Sequence, residues 1–297
     1  MSEHRHHHHG SCVPKSLPKE LWTQAAARAV SINPQNHAPL HRGLRINPEF
    51  VPTKEYIAVV TNRYWHTDGV RLTVGFMESA PADLQARILS HMNVWGTRCN
   101  VQFAPSKVEP QVRITLEGEG YWSYVGTDIL SIEADQPTMC LEAFTMNTEE
   151  SEFHRVVRHE TGHTLGCPHE HMRRELVSRI DRQKAIAYFK RIAGWNAQTV
   201  IEQVLTPIEE SSLLGTAHAD SHSIMCYQIP GEITIDGRDI PGGLDIDELD
   251  YQFMASIYPG LPRTSADVST AASDLVARLQ ADNDVLRKAL SIYARAA

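Results

Sequence analysis

Two histidines four residues apart, His159 and His163, bracket a glutamate, Glu160, that directly follows the first of them. On a helix such a pair projects from one face and can grip a single metal ion. Glu160 is then placed to receive a proton from a water on that metal. Gly166 can adopt the positive φ that ends a helix cheaply and turns the chain back, so that His169 arrives as a third nitrogen ligand. Three nitrogens and one open position describe a catalytic site rather than a closed structural one, and Zn2+ is the expected cofactor. The bland alternative is an amphipathic helix with two solvated histidines. With 16 histidines in 297 residues, a chance HExxH is on the order of a one-in-twenty event. Requiring Gly166 and His169 at their offsets lowers that to about one in several thousand. No Gly-x-Ser-x-Gly elbow offers a rival nucleophile.

A second signal lies far downstream, in Ser223-Ile224-Met225-Cys226-Tyr227. With the histidine motif, this segment resembles the methionine turn of the metzincins. Within that clan the chain is most similar to the astacins. Glu170 follows the third histidine, Tyr227 stands two residues after Met225, and Trp122-Ser123-Tyr124-Val125-Gly126 resembles the WSYVG segment of astacin catalytic domains. The resemblance implies an α/β fold: a mixed twisted sheet with backing and active-site helices above a mostly helical and irregular lower subdomain. It implies a zinc-dependent metalloendopeptidase acting on protein or peptide substrates. Tyr227 would bind zinc in the empty site and swing to donate to an oxyanion; otherwise it is a core tyrosine. Met225 is apolar and reads as a soft floor beneath the ligands. Glu170 either orders the lower subdomain through a hydrogen bond or ion pair, or is a solvated carboxylate. The chain departs from the family in its cysteines: Tyr121 stands where astacins usually have a cysteine, Cys167 replaces an aromatic residue and Cys226 a histidine. The crossed disulfides of the secreted family are therefore not expected.

Cys12 lies ahead of these motifs in Ser-Cys-Val-Pro-Lys. A thiolate is a strong zinc ligand, and some metalloprotease proenzymes fill the open position with an N-terminal cysteine. Cys12 is thus a candidate inhibitory ligand, the alternative being a free exposed thiol. Two rival functions stand beside the endopeptidase: a catalytically idle zinc-containing peptide-binding module, which would have no need of Glu160 as a base, and an exopeptidase.

The elements that must position these residues follow from periodicity. Alternation over Arg71 to Met77 predicts the first strand, and helical spacing over Pro81 to Trp95 predicts a backing helix. Val101 to Ala104 and Val112 to Leu116 read as further strands, and Asp128 to Ile132 and Leu141 to Met146 as weaker ones; the metzincin resemblance implies that the last supplies the edge strand, either holding an extended substrate or serving as an ordinary edge. Glu150 to Leu165 reads as the active-site helix, capped by Thr148 or Ser151. Asp181 to Ile192, Asn196 to Leu205 and Leu244 to Tyr258 complete the lower half as helices. Residues 1–54 read as a tag-like tract (His4 to Gly10) and an N-terminal arm or pro-segment with one helix, Lys19 to Ser31, amid proline-marked extended chain. Residues 55–260 form the catalytic domain. A linker and a C-terminal helix occupy 261–297, where Leu275, Leu279, Leu286 and Leu290 suit docking or weak self-association.

Composition narrows the partners. A net charge of -8 without a basic block argues against nucleic acid. No run approaches the roughly 18 apolar residues of a membrane span. Five cysteines do not read as a disulfide framework. Without an apolar signal core the chain reads as cytoplasmic as written, or as secreted if an export signal has been removed.

Overall fold

The alternating residues of β1 (Val70–Phe76) point Val70, Leu72 and Val74 into a core, and the computed structural model builds a five-stranded sheet around them. It describes residues 12, 15–46, 49, 51–208 and 219–260. Strands β2 (Val101–Pro105), β3 (Val112–Thr115) and β5 (Met139–Leu141) run parallel to β1 in the order β2-β1-β3-β5. β4 (Tyr121–Ser123) closes the order antiparallel to β5. Behind the sheet, α4 (Ala82–Met92) buries Leu84, Ile88 and Met92, with Trp95 in the 3-10 turn that follows.

The edge strand is therefore β4, not the 141–146 segment expected from sequence. All three residues of β5 are buried, Met139 and Cys140 are paired on both sides, and Ala143, at φ 54, turns the chain out of the strand. Of the segment expected as a strand, Asp128 to Ile132, all but Ile132 falls in a 3-10 helix over Gly126–Ser131. The arm also differs. Besides α1 (Trp22–Ile32) it holds α2 (Ala38–Ile46), and α3 (Lys54–Val60) packs with these two through Leu40, Ile57 and Val60. Pro34 and Pro39 sit in first turns, where a missing N–H costs nothing, so they mark helix starts and not extended chain.

The active-site helix is continuous over residues 150–164 but not uniform. It runs as α5 (Glu150–Glu152), a π-helical stretch (Phe153–Val157) and α6 (Arg158–Thr164). π-Turns of this kind concentrate at functional sites. Neither expected cap forms: Glu149 is the N-cap, with no side-chain bond, and Thr148 Oγ1 accepts from the Thr145 amide instead. Below lie α7 (Arg174–Val177), α8 (Arg182–Ala193) and α9 (Ala197–Val200). Asp181 caps α8, which ends on left-handed Gly194, the pattern its sequence predicts. Finally, α10 (Glu248–Ile257) opens on a capping box of Asp247 and Asp250. Two apolar cores result, one around the sheet and Trp95, the other around Phe189, Val204 and Ile229. The His4 to Gly10 tract and the expected helix of 265–297 lie outside the described residues. Among those described, no helix is long and apolar enough to cross a membrane.

Candidate active site

His159 and His163 occupy one buried face of α6. Their tautomers are fixed locally. His159 Nδ1–H donates to the Ile224 carbonyl at 2.6 Å, and His163 Nδ1–H to the Cys167 carbonyl at 2.8 Å. Both Nε2 atoms thereby turn lone pairs towards His169 Nε2, at 3.2 and 3.0 Å. Burial keeps the rings neutral, lowering His159 to about 4 and His163 and His169 well below their ordinary value. Lone pairs aimed at one point repel each other, and a cation between them removes the repulsion. Tetrahedral zinc bonds of about 2.05 Å would set the nitrogens roughly 3.3 Å apart, close to the observed spacing. The donor set fits zinc.

The helix end that returns His169 depends on Gly166. Its φ is 105°, and a Cβ there would lie 2.7 Å from the Tyr64 ring, so only glycine suits both backbone and space. Two carbonyls left free at the helix end are taken by side chains from elsewhere: Trp65 Nε1–H donates to Thr164 at 2.8 Å and the Tyr258 hydroxyl to Leu165 at 2.6 Å.

Glu160 is 1% exposed, and neither carboxyl oxygen has a hydrogen-bond partner among the described residues. Burial pushes the carboxyl up to about 8, while the adjacent Cys12 thiol and Arg155 guanidinium pull it down. The Tyr227 hydroxyl is likewise buried and unpartnered among the described residues, and burial holds it protonated. Its ring stacks on His171 at 4.0 Å and lies 4.4 Å from His169. Met225 packs beneath α6: a Cβ on Gly162 would overlap its Sδ. Glu170 is mostly buried and accepts from the Asp220 amide at 3.0 Å and from Arg173 at 3.2 Å, while its own amide donates to the Met225 carbonyl at 2.8 Å.

Cys12 is buried against this cluster. Its Sγ and one nitrogen of each of His159, His163 and His169 all lie within 4.8 Å of one another. The arm that carries it runs beside β4, where the Lys15 amide donates to the Ser123 carbonyl at 3.2 Å and Lys15 bridges Tyr124 in the parallel sense. Lys15 Nζ sits 4.9 Å over the Trp122 ring. A cavity of about 360 Å³ opens next to Glu160, with Tyr121, Arg155, Tyr188 and Ile229 in its walls.

Two further residues stand at the site. His171 is fully buried; its Nδ1 accepts from the Tyr227 amide at 3.4 Å and its Nε2–H donates to the Gln203 carbonyl at 2.9 Å. Arg155, one turn before His159, binds Glu152 through both nitrogens at 3.0 and 2.8 Å at the cavity wall. Neither has a spacing that separates it from its neighbours in sequence. A second imidazole–carboxylate group, His91, Glu150 and His154, is an ion-pair network. Arg87 and Arg158 reach into it from two sides, Arg87 pairing with Glu150 and Arg158 Nε–H donating to His91 Nδ1 at 3.3 Å, so two guanidinium groups already supply positive charge there.

With this geometry in view, the family model described as Astacin, a peptidase family, matches residues 59–231, more than half of the chain. The chain belongs to the astacin family of peptidases. Among curated astacin-family relatives, zinc metalloproteinase nas-27 of Caenorhabditis elegans is 33% identical over 99 residues, which cover 33% of this chain and 21% of that protein. The chain thus spans about a fifth of that relative's length. Two solved structures of myroilysin share the fold. One matches with a TM-score of 0.63 and 30% identity over 68% of this chain and 98% of that one; the other with 0.51 and 29% over 67% and 86%. The mixed α/β architecture is the one these structures share, and the cofactor of this astacin-family chain is zinc. All five cysteines are free and buried.

Proposed function

We propose that residues 55–260 are the catalytic domain of a zinc-dependent endopeptidase that hydrolyses peptide bonds in proteins or peptides, and that residues 1–54 restrain it. The observation that carries the reading is the convergence of three neutral imidazole nitrogens beside a buried, unpartnered carboxyl. His159, His163 and His169 hold the metal. When bound, zinc supplies a Lewis acid that polarises a carbonyl and acidifies water near neutral pH. Glu160 takes the proton of the attacking water and delivers it to the leaving amine. Tyr227, whose phenol keeps its proton, donates to the oxyanion. Met225 floors the ligands, Gly166 makes the turn between them, and Glu170 ties the third ligand's segment to the lower half. The outer edge of β4, once the arm leaves it, pairs with an extended substrate backbone.

In the latent state Cys12 occupies the substrate's place. Burial raises its thiol well above the ordinary range, and only a metal would hold it as a thiolate there. The arm lies parallel to β4, the weaker of the two pairing senses. The test is turnover of blocked-terminus quenched peptides by the full chain and by Cys12→Ala, each zinc-loaded, with and without chelator. Cleavage that rises in Cys12→Ala and vanishes with chelator supports both parts; equal rates in parent and variant sink the latency. No cleavage across a broad library by the zinc-loaded variant would leave the idle peptide-binding module, and cleavage of free-ended peptides alone the exopeptidase. Five unpaired thiols suit a reducing compartment, in keeping with a cytoplasmic site of action. Weak self-association through residues 265–297 is checked by sedimentation with and without them.

A further inference from the structure

We infer that Asp250, on α10, is a positioning residue for the metal centre, acting through Ser223 and Ile224 to hold His159 in the tautomer and orientation that bind zinc. The inference rests on the reading of His159 as a ligand. Asp250 is 8% exposed, and no basic side chain among the described residues pairs with it. A buried carboxyl without a cation is costly unless donors surround it. Three do. Asp250 Oδ1 accepts from the Ser223 hydroxyl at 2.6 Å; Oδ2 accepts from the Ile224 amide at 2.9 Å and the Asp247 amide at 3.1 Å.

The Asp247 bond belongs to the capping box and needs one oxygen only. The other two bonds serve the turn and not the helix. Ser223 Oγ in turn accepts from the Met225 amide at 3.0 Å, so the carboxyl and the hydroxyl together hold two successive backbone amides, those of Ile224 and Met225. Ile224 is the link. Its N–H is held by Asp250 and its carbonyl receives the Nδ1–H of His159 at 2.6 Å. With the proton committed to Nδ1, the Nε2 lone pair faces the other two ligands. If the turn loosens, this acceptor moves, and the imidazole loses both its angle and its preferred tautomer. Partners of this kind behind a metal ligand are worth roughly 10–100-fold in metal affinity.

The test measures zinc affinity of the full chain by competition with a chromophoric chelator, alongside thermal stability of the metal-free protein. Asp250→Asn keeps size but turns an amide NH2 towards donors. Ser223→Ala removes both bonds of the hydroxyl, to Asp250 and from the Met225 amide, and leaves the carboxyl, which guards against a variant that does not fold. Met254→Ala, a fully buried core change on the same helix that removes none of the hydrogen bonds to the turn, is the control. The expected result is zinc binding weaker by about 10–100-fold in Asp250→Asn and several-fold in Ser223→Ala, with Met254→Ala within about twofold of the parent despite a lower Tm. In the zinc-loaded parent the His159 Nδ1–H should give a slowly exchanging proton resonance that broadens in Asp250→Asn. Unchanged affinity in Asp250→Asn, or an equal loss in Met254→Ala, overturns the inference. A parent that binds no zinc would instead overturn the metal reading beneath it.

Discussion

At Glu160 the decisive property is a carboxyl buried with no hydrogen-bond partner among the described residues, beside three imidazoles. Glu160→Gln keeps the volume and removes the base. In the Cys12→Ala background, zinc content should stay near one per chain while turnover falls by roughly 10² or more. Metal analysis together with single-turnover kinetics checks both halves. Tyr227→Phe removes only the unpartnered hydroxyl. It should raise the barrier by about 2–4 kcal/mol, seen as a fall in kcat with little change in KM. Equal kcat would leave Tyr227 as packing on His171. The two substitutions separate proton transfer from oxyanion stabilisation, because neither side chain bonds the other.

Among the elements, α6 carries an unusual constraint at Gly162. Glycine inside a helix normally costs about 1 kcal/mol relative to alanine, so Gly162→Ala would be expected to stabilise. Here the new methyl would overlap Met225 Sδ and come within 3.4 Å of the Trp95 ring. Overpacking of this kind costs about 1–3 kcal/mol. The Tm of Gly162→Ala should therefore fall, and zinc affinity with it, since Met225 must move beneath the ligands. A raised Tm would show that the floor yields. The same element marks the limit of pattern reading. Helical spacing identifies residues 150–164 as a helix, but the π-helical stretch at Phe153–Val157 leaves no trace in periodicity. The edge strand was misplaced for a related reason: three-residue strands are too short to alternate, and only pairing distinguishes β4 from β5.

Across the whole molecule, the arm is fastened by polar groups that are themselves buried. Asn36 Nδ2 donates to the carbonyls of Ala29 and Tyr64 at 2.9 and 2.8 Å, and its Oδ1 accepts from the Tyr64 amide at 2.9 Å. His37 beside it is fully buried, and burial lowers it from 6.5 to about 4. The unfolded chain takes up this proton below pH 6.5 and the native chain resists until about 4. His37 therefore leaves stability intact above 6.5 and removes it as pH falls through that window, by up to roughly 3 kcal/mol. His37→Leu should flatten the pH dependence of Tm between 6.5 and 4 relative to the parent; an unaltered slope would place the titration elsewhere. By itself the sequence singled out the three histidines, Glu160, the turn glycine and the methionine-turn segment as candidates, because the proposed chemistry demands fixed residue types at fixed local spacing. It also indicated the longer helices between residues 81 and 258 and the longer strands, whose periodicity is local too. Only the tertiary structure decided which strand forms the edge, that two arm prolines start helices, that His171 and Arg155 join the site, and that Cys12 reaches the three histidines. Those are long-range contacts, set by how two cores and an arm pack together, and no spacing along the chain encodes them.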